Sequence, residues 1–228
     1  MIKQLGFILI SLMIVPSAHA QLSGIPRLPS SGGYGLQGSA GSGFVDYTIR
    51  SPNGDFRMDR GIYVSGSIER GFNFMHLYLT LGLSYMTAEG RANYRYTNLS
   101  TSNSYSADDV EFRSNVLDLS LGLKLKIIDN YWFRPYVEGG GIGGFHQINY
   151  ISKGGELAAQ GPDSKSKDIV MGSGYYAEGG IEAMFSDRFG VKLAARKSYY
   201  ETKSLETLGG QSLDFAAETY YFALLFGF

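Results

Sequence analysis

The fold class that this sequence predicts is all-β: an eight-stranded, antiparallel, up-and-down transmembrane β-barrel. Three observations predict it. Apolar and polar residues alternate over long stretches, short and long connections take turns along the chain, and the composition is rich in aromatic residues and glycine. There are 17 Tyr, 14 Phe and 31 Gly, and only 18% of residues are charged, against about 25% in ordinary soluble domains.

The first twenty residues have the pattern of a cleaved secretory signal peptide. Lys3 gives a positive start, Leu5 to Val15 is an uncharged apolar stretch, and Ala18 and Ala20 are small residues before a cleavage site. The apolar stretch is too short to span a bilayer as a helix. We therefore predict three regions: a signal peptide at 1–20, a periplasmic leader at 21–41 and an outer-membrane barrel at 42–228.

The predicted leader is rich in Gly, Ser and Pro, which is typical of flexible segments. The alternative is that its Gly-rich part already belongs to the first strand, because strands carry Gly where another backbone approaches closely. The chain contains no cysteine, which excludes disulfide bonds and a lipid-modified N-terminal cysteine.

The clearest alternation runs from Val116 to Ile127, where Leu or Ile occupies every second position and polar residues, including Asp118 and Lys124, stand between them. The stretch from Met75 to Tyr85 repeats this pattern. A period of two is typical of a strand with two different faces and excludes a helix. Extending the pattern predicts strands at 42–50, 57–70, 75–94, 113–127, 132–149, 174–185, 189–200 and 213–228.

The connections between these strands fall into two alternating classes. Three are very short (71–74, 128–131 and 186–188), and the other four (51–56, 95–112, 150–173 and 201–212) include three long polar segments. Short turns at one end and long loops at the other are typical of bacterial outer-membrane barrels. This places both termini and the short turns in the periplasm and the long loops outside the cell.

Aromatic residues cluster at both ends of the predicted strands, as in the girdles of membrane barrels. The short-turn end has Phe72, Phe74, Tyr131, Trp132, Phe133, Phe185, Phe189, Phe226 and Phe228, and the loop end has Tyr94, Tyr96, Tyr150, Tyr175, Tyr199 and Tyr200. The structural alternative is a soluble lipocalin-like barrel, which would turn its leucines inward. The two girdles and the nearly pure leucine rows favour the membrane barrel.

Two segments resemble a known family. The C-terminus has aromatic residues or leucine at every second position, namely Tyr220, Phe222, Leu224, Phe226 and Phe228. This resembles the signal that the barrel-assembly machinery reads. The segment Phe133–Gly141 resembles a strand common in the small eight-stranded outer-membrane barrels of the OmpA, OmpX and OmpW kind, although Glu138 stands where many relatives carry a small residue. The resemblance implies their fold and their location in the outer membrane of a Gram-negative bacterium.

The alternation directs a set of charges into the predicted lumen. The acids are Asp46, Glu69, Asp118, Glu138, Glu178 and Glu182, and the bases are Lys124, Lys126, Arg134, Lys192 and Arg196. An eight-stranded barrel is just wide enough for its own side chains, and buried charges require partners. We therefore predict a salt-bridge plug. A narrow gated ion path and a pair of catalytic carboxylates are the alternatives for the same residues.

The candidates for other chemistry are few. The mature chain has two histidines, His76 and His146, and neither has a serine two positions away, which argues against a lipid-modifying enzyme. The pair Asp108–Asp109 could bind a cation, but adjacent acids in a polar loop are typically solvated. No phosphate loop, zinc spacing or calcium loop is present. The sequence therefore predicts no catalytic residue, no metal and no cofactor.

The predicted function is a structural or surface-interaction role, in adhesion or binding, through long extracellular loops. Tyr94, Tyr96 and Tyr105 lie among small polar residues there, a composition suited to adaptable contacts. The alternatives are a narrow pore or small-solute channel and a lipid-modifying enzyme. The expected partners are lipopolysaccharide, phospholipid, the barrel-assembly machinery and an extracellular ligand. Nucleic acid is not expected, because removal of Lys3 leaves 19 basic and 21 acidic residues.

Overall fold

The computed structural model describes residues 36–51, 54–72, 76–97, 104–128, 133–151, 165–186, 188–202 and 214–228. Their regular structure consists of β1 (Leu36–Ser51), β2 (Gly54–Arg57), β3 (Gly61–Gly71), β4 (Leu77–Thr97), β5 (Ser104–Lys126), β6 (Arg134–Ile151), β7 (Lys165–Met184), β8 (Phe189–Thr202) and β9 (Asp214–Gly227). Among these residues, no helix is long and apolar enough to cross a membrane.

The strands form one closed antiparallel sheet, because β1 pairs with β3 on one side and with β9 on the other. Strands β3 to β9 follow one another in chain order between these two pairings. The short strand β2 forms a hairpin with the outer end of β1 and does not add a wall of its own. The closed barrel therefore consists of eight strands, β1 and β3 to β9, which confirms the predicted fold class.

The registers determine how steeply the strands tilt. Starting from Gln37 on β1, we can follow the paired residue on each successive strand from β3 to β9. This path around the barrel returns to β1 at Tyr47, ten residues further along the chain. Eight strands with this offset tilt by about 40° from the barrel axis. Each residue then advances roughly 2.5 Å along the axis.

The first strand begins at Leu36 and not at residue 42, so the predicted start of the barrel was too late. The residues between them pair with both β3 and β9. Glycine is required at this seam, because a Cβ on Gly41 would lie 2.5 Å from the Cβ of Ala223. The Gly-rich alternative therefore holds for residues 36–41. The predicted signal peptide and residues 21–35 of the leader lie outside the described residues.

Two of the predicted long loops are partly strand. Strands β4 and β5 pair up to Thr97 and Ser104, and strands β6 and β7 pair up to Ile151 and Lys165. The polar composition of these segments fits hairpin arms that extend beyond the barrel wall, where both faces can be solvated. Asp108–Asp109 belongs to β5, in a bulge between the pairs Ala92–Val110 and Tyr94–Ala107. The loop assignment of 95–112 was therefore wrong over most of its length.

One short turn contains a backbone conformation that is uncommon for a residue with a side chain. His76 has a φ of 50°, in the left-handed region that favours glycine and tolerates asparagine and histidine. Its carbonyl accepts a hydrogen bond from the Lys126 amide at 3.1 Å, and the Leu77 carbonyl accepts one from the Phe72 amide at 2.8 Å. The turn between β3 and β4 is thus tied to the end of β5.

Candidate functional site: a filled lumen

The half of the lumen at the short-turn end, which is the periplasmic end in the predicted orientation, contains a cluster of buried ion pairs. Lys124 contacts Glu69, Glu182 at 3.0 Å and Glu138 at 3.6 Å. Lys126 lies 2.7 Å from Glu69 and 3.1 Å from Glu182. These five side chains come from β3, β5, β6 and β7 and meet inside the barrel, because each occupies an inward position of its strand.

A second pair completes this cluster. Lys192 on β8 lies 2.8 Å from Glu178 on β7, and the Tyr136 hydroxyl donates a hydrogen bond to the same carboxylate at 2.7 Å. Glu138 accepts hydrogen bonds from Thr80 at 2.8 Å and from Tyr176 at 2.7 Å. We call Glu69, Lys124, Lys126, Glu138, Glu178, Glu182 and Lys192 the ion cluster. Glu138 and Glu178 thus have neutral hydrogen-bond donors as well as cations, which stabilises charges that are buried.

Aromatic rings fill the space around the cations of the ion cluster. Lys126 lies 4.0 Å from the centre of the Tyr78 ring, and Lys124 and Lys192 lie 4.6 Å and 5.2 Å from the Tyr136 ring. Such contacts stabilise desolvated cations. These tyrosines were not predicted as contacts of the lumen cations, although Tyr136 stands between Arg134 and Glu138 on the same inward face of β6 and could have been found from that alternation.

The remaining predicted lumen residues have different surroundings. Arg134 is buried at the periplasmic end of β6. Arg196 lies 3.9 Å from the centre of the Tyr176 ring and donates a hydrogen bond to Ser198 at 3.2 Å. Asp118 accepts a hydrogen bond from the Tyr200 hydroxyl at 2.6 Å. Asp118 and Arg196 thus lie inside the barrel, and their hydrogen bonds are with the neutral side chains of Tyr200 and Ser198.

Two sequence assignments were wrong about which face a residue occupies. Asp46 points outward, where it lies 3.7 Å from Arg60, because the inward positions of β1 on either side of it are the apolar Val45 and Tyr47. Tyr200 points inward and is 1% exposed, so it does not belong to the outer girdle. In the outer half of the barrel the lumen is filled by apolar and aromatic side chains, so the polar face of β1 points outward and Tyr200 points inward.

The outer half of the lumen is closed by packed side chains, most of them apolar. Four rings lie at its centre, those of Tyr47, His146, Tyr200 and Phe215, which we call the aromatic cap. The His146 ring lies 4.8 Å from the Tyr200 ring and 4.9 Å from the Phe215 ring, and Tyr47 stacks on Phe215 at 5.6 Å. The cap is surrounded by Val45, Ile49, Met58, Met86, Ala88, Val116, Ile148 and Ala217.

Between the ion cluster and the aromatic cap there is a small polar cavity of about 20 Å³. Serine residues of β3, β4 and β5 form one side, and Arg196, Glu138 and Lys192 form the other. A cavity of this size holds one water molecule. Tyr63 and Arg196 each present a polar atom without a hydrogen-bond partner there, so a water would satisfy both.

The outer surface of the barrel is apolar over most of its height. Large exposed side chains include Leu119, Leu121, Leu123 and Leu125 on β5 and Phe222 and Leu224 on β9. Solvent-exposed apolar patches of this extent are rare on soluble monomers. The predicted alternative of a soluble barrel with inward leucines does not fit, because these leucines point outward.

Aromatic residues mark both edges of this apolar surface. On β8 and β7, Phe189 and Phe185 at the periplasmic end are each ten residues away from Tyr199 and Tyr175. At roughly 2.5 Å per residue this corresponds to about 25 Å, the height of the apolar band of membrane barrels. Phe72, Phe133, Phe228, Tyr85 and Tyr220 are exposed at the same two edges. The side chains of Phe74, Tyr94, Tyr96, Tyr131, Trp132 and Tyr150 lie outside the described residues.

Ion pairs begin at the outer edge of the apolar surface. Lys197 lies 2.7 Å from Glu218, and Arg113 lies 2.5 Å from Glu89. These groups are half-exposed on the outside of the barrel. A sharp change from apolar residues to paired charges is the pattern expected where lipid chains give way to headgroups and water.

The chain is similar in fold to several solved β-barrel structures. Neither a protein-family model nor a curated protein sequence matches this chain. Among solved structures, it is similar to the surface protein NspA of Neisseria (13% identity, TM-score 0.46, 85% of this chain and 97% of that chain). It is also similar to the attachment invasion locus protein Ail of Yersinia pestis (11%, 0.42, 83% and 98%) and the protease OmpT of Escherichia coli (9%, 0.48, 89% and 99%). At these scores the fold assignment rests on the closed strand order and registers of this chain.

The two histidines have separate surroundings. His76 lies in the short turn before β4, and His146 is fully buried in the aromatic cap, where its Nδ1 lies 3.2 Å from the Tyr47 hydroxyl. No group of three or more metal-ligating side chains occurs among the described residues. Because His146 is 0% exposed, a membrane lipid cannot reach it in this arrangement.

Proposed function

We propose that the protein is an integral outer-membrane β-barrel with a closed lumen and a structural or surface-interaction role. The observation that supports this best is the combination of an apolar outer wall between two aromatic edges with an interior filled by its own side chains. The wall fits lipid chains, since every strand of a closed barrel has its backbone hydrogen bonds satisfied by its neighbours. The partners of this wall would be phospholipid and lipopolysaccharide.

The filled interior argues for a barrel that does not conduct in its resting state. A solute would have to pass both the ion cluster and the aromatic cap, and the space left between them holds about 20 Å³. Lys124 and Lys126 are 1% exposed and Glu182 is 0% exposed. Separating such pairs leaves uncompensated buried charges, which is costly.

The surface-interaction role is supported by the height of the outer hairpins. Strand β4 continues for twelve residues beyond Tyr85, and β5 pairs with it as far as Ser104. Such arms would present their tips to ligands outside the cell. The terminal row Tyr220, Phe222, Leu224, Phe226 and Phe228 points outward and would be available to the barrel-assembly machinery before the barrel closes.

Single-channel recording in planar bilayers tests the closed lumen. Refolded protein, with insertion verified in the same sample by heat-modifiable migration, should give no stable conductance steps. A variant that carries Lys124→Ser, Lys126→Ser and Lys192→Ser serves as the comparison, because it removes the three cations of the ion cluster. Stable steps from the wild-type protein would contradict the closed lumen and favour a pore.

The surface-interaction role has its own test. Cells that express a chain with residues 98–103 and 152–164 replaced by short Gly-Ser turns should insert the barrel normally but lose attachment to extracellular matrix or host cells. If cells with the wild-type chain and cells with the shortened chain attach equally well, binding through these segments is excluded and a structural role is the conclusion.

A further inference from the structure

His146 occupies an unusual place for a titratable side chain. It is 0% exposed and enclosed by three rings of the aromatic cap. Its Nε2 atom has no hydrogen-bond partner. That atom points at the backbone of β7, because a Cβ added to Gly172 would lie 2.7 Å from it. One nitrogen is thus engaged by the Tyr47 hydroxyl, and the other faces a position where no side chain exists.

The groups that face His146 are mostly neutral. The rings of Tyr47 on β1, Tyr200 on β8 and Phe215 on β9 contact it, and the Gly172 backbone of β7 lies beside it. The buried charged groups next in line are Asp118 on β5, which accepts a hydrogen bond from Tyr200, and Arg196 on β8. Asp118 is the acid of this set, and one of its oxygens is bound by the Tyr200 hydroxyl while the other has no partner.

A neutral imidazole fits this environment, whereas an imidazolium does not. In the imidazolium both ring nitrogens are N–H donors, the donor at Nε2 has no acceptor, and the positive charge is removed from water. In water, histidine takes up this proton near pH ~6.5. Below that pH, any state in which His146 reaches water binds one more proton than the closed cap does. Acid therefore favours opening of the cap, by about tenfold per pH unit for one proton.

We propose that His146 is a pH-operated latch on the outer mouth of the lumen. With His146 neutral, its ring joins β6 to Tyr47 of β1, Tyr200 of β8 and Phe215 of β9 and holds the cap closed. When His146 is protonated, this packing is lost and water enters the outer half of the lumen, while the ion cluster below keeps the periplasmic half filled. The latch goes beyond the proposed function and rests on its closed lumen.

Cysteine accessibility measures the latch directly, since the chain contains no native cysteine. The probe is Ala217→Cys, which replaces a 0% exposed residue beside the cap. Its reaction rate with a membrane-impermeant methanethiosulfonate is measured in phospholipid vesicles and divided by the rate in urea-unfolded protein, which cancels thiol ionisation. We expect this ratio to rise about fivefold between pH 6.5 and 5.5, because a histidine in water is already half protonated near pH ~6.5. If Ala217→Cys does not fold, Val116→Cys, on the other side of the cap, replaces it.

Matched variants separate His146 from other groups. His146→Gln keeps a polar neutral side chain, and His146→Phe keeps an aromatic ring; both should abolish the rise, whereas His76→Asn should retain it. An unchanged ratio in the wild-type background would overturn the proposal. So would a rise that persists in His146→Gln and disappears in Asp118→Asn, because it would assign the effect to the carboxylate.

A second probe separates this proposal from the proposed function. Leu121→Cys lies on the apolar outer wall and should be protected from the impermeant reagent at every pH. A reactive Leu121→Cys would contradict membrane insertion itself. A protected Leu121→Cys together with a pH-independent Ala217→Cys would reject the latch alone.

Discussion

Lys124 and Glu182 meet across the lumen at 3.0 Å although their strands, β5 and β7, are not neighbours in the sheet. Strand β6 separates them along the wall, so the contact joins two parts of the barrel that share no backbone hydrogen bonds. The same ammonium group also reaches Glu69 on β3 and Glu138 on β6. The Lys124 side chain thus connects four strands, β3, β5, β6 and β7, and lies at the centre of the ion cluster.

Replacing Lys124 should therefore destabilise the barrel strongly. Lys124→Met keeps most of the side-chain volume but leaves Glu69, Glu138 and Glu182 short of one positive charge in a buried place. We expect the free energy of unfolding in urea to fall by about 3–5 kcal/mol, as when one partner of a buried ion pair is removed. The control is Lys197→Met, which breaks the solvent-exposed pair with Glu218 and should change little. Equal losses in both variants would mean that burial of the ion cluster does not matter.

Two adjacent tyrosines on β8 allow a similar comparison for Asp118. The Tyr200 hydroxyl donates a hydrogen bond to Asp118 inside the barrel, whereas Tyr199 lies on the outer surface. Tyr200→Phe removes that donor and leaves both carboxylate oxygens without a partner. We expect a loss of about 1–3 kcal/mol in the free energy of unfolding. Tyr199→Phe should be close to neutral, and a smaller loss in Tyr200→Phe than in Tyr199→Phe would contradict the inward assignment of Tyr200.

How far the sequence predicts each strand depends on how different its two faces are. On β5, leucine alternates with Asp118, Ser120 and Lys124, and residues 113–126 of the strand and its orientation were predicted correctly, whereas its first nine residues were missed. On β1, small residues stand on both faces of the first half, so neither its start at Leu36 nor the outward direction of Asp46 could be read from the alternation. In the outer half of the barrel, apolar residues face inward as well as outward, which removes the contrast on which the prediction depends.

The ion cluster was predictable as a set of inward charges but not as a set of contacts. Alternation places Glu69, Lys124 and Glu182 on inward faces, and the structure also places them there. Which acid meets which base depends on the offset of ten residues around the barrel, because that offset determines the relative heights of residues on different strands. The aromatic cap could not be predicted for the same reason, since Tyr47, His146 and Phe215 come from three strands that are distant in the sequence.

Phe228 supports a prediction about assembly. Its side chain is 76% exposed, and its amide donates a hydrogen bond to the Leu36 carbonyl at 3.0 Å. Deleting Phe228 removes one bond at the β1–β9 seam but leaves the long pairing of these strands intact. We expect slower insertion in cells, measured by pulse-chase gel migration, with little change in the unfolding midpoint of the assembled barrel.

The control for this deletion is Phe222→Ala, which shortens another side chain of the same outward row but leaves the terminus unchanged. It should insert at a nearly normal rate. If the deletion inserts as fast as the wild-type chain, the terminal residue is not part of the signal that the assembly machinery reads.

Gly141 and Gly144 on β6 allow one more comparison, because the space around them differs. A Cβ on Gly144 would collide with a carboxylate oxygen of Asp118 and lie 2.5 Å from the Leu117 carbonyl oxygen, whereas a Cβ on Gly141 would have nothing within 4 Å. Gly144→Ala should therefore cost about 1–3 kcal/mol through overpacking. Gly141→Ala should gain roughly 0.5–1 kcal/mol, since alanine loses less backbone entropy in a strand. Urea unfolding of both variants measures the difference, and a stabilising Gly144→Ala would show that Asp118 does not lie against β6.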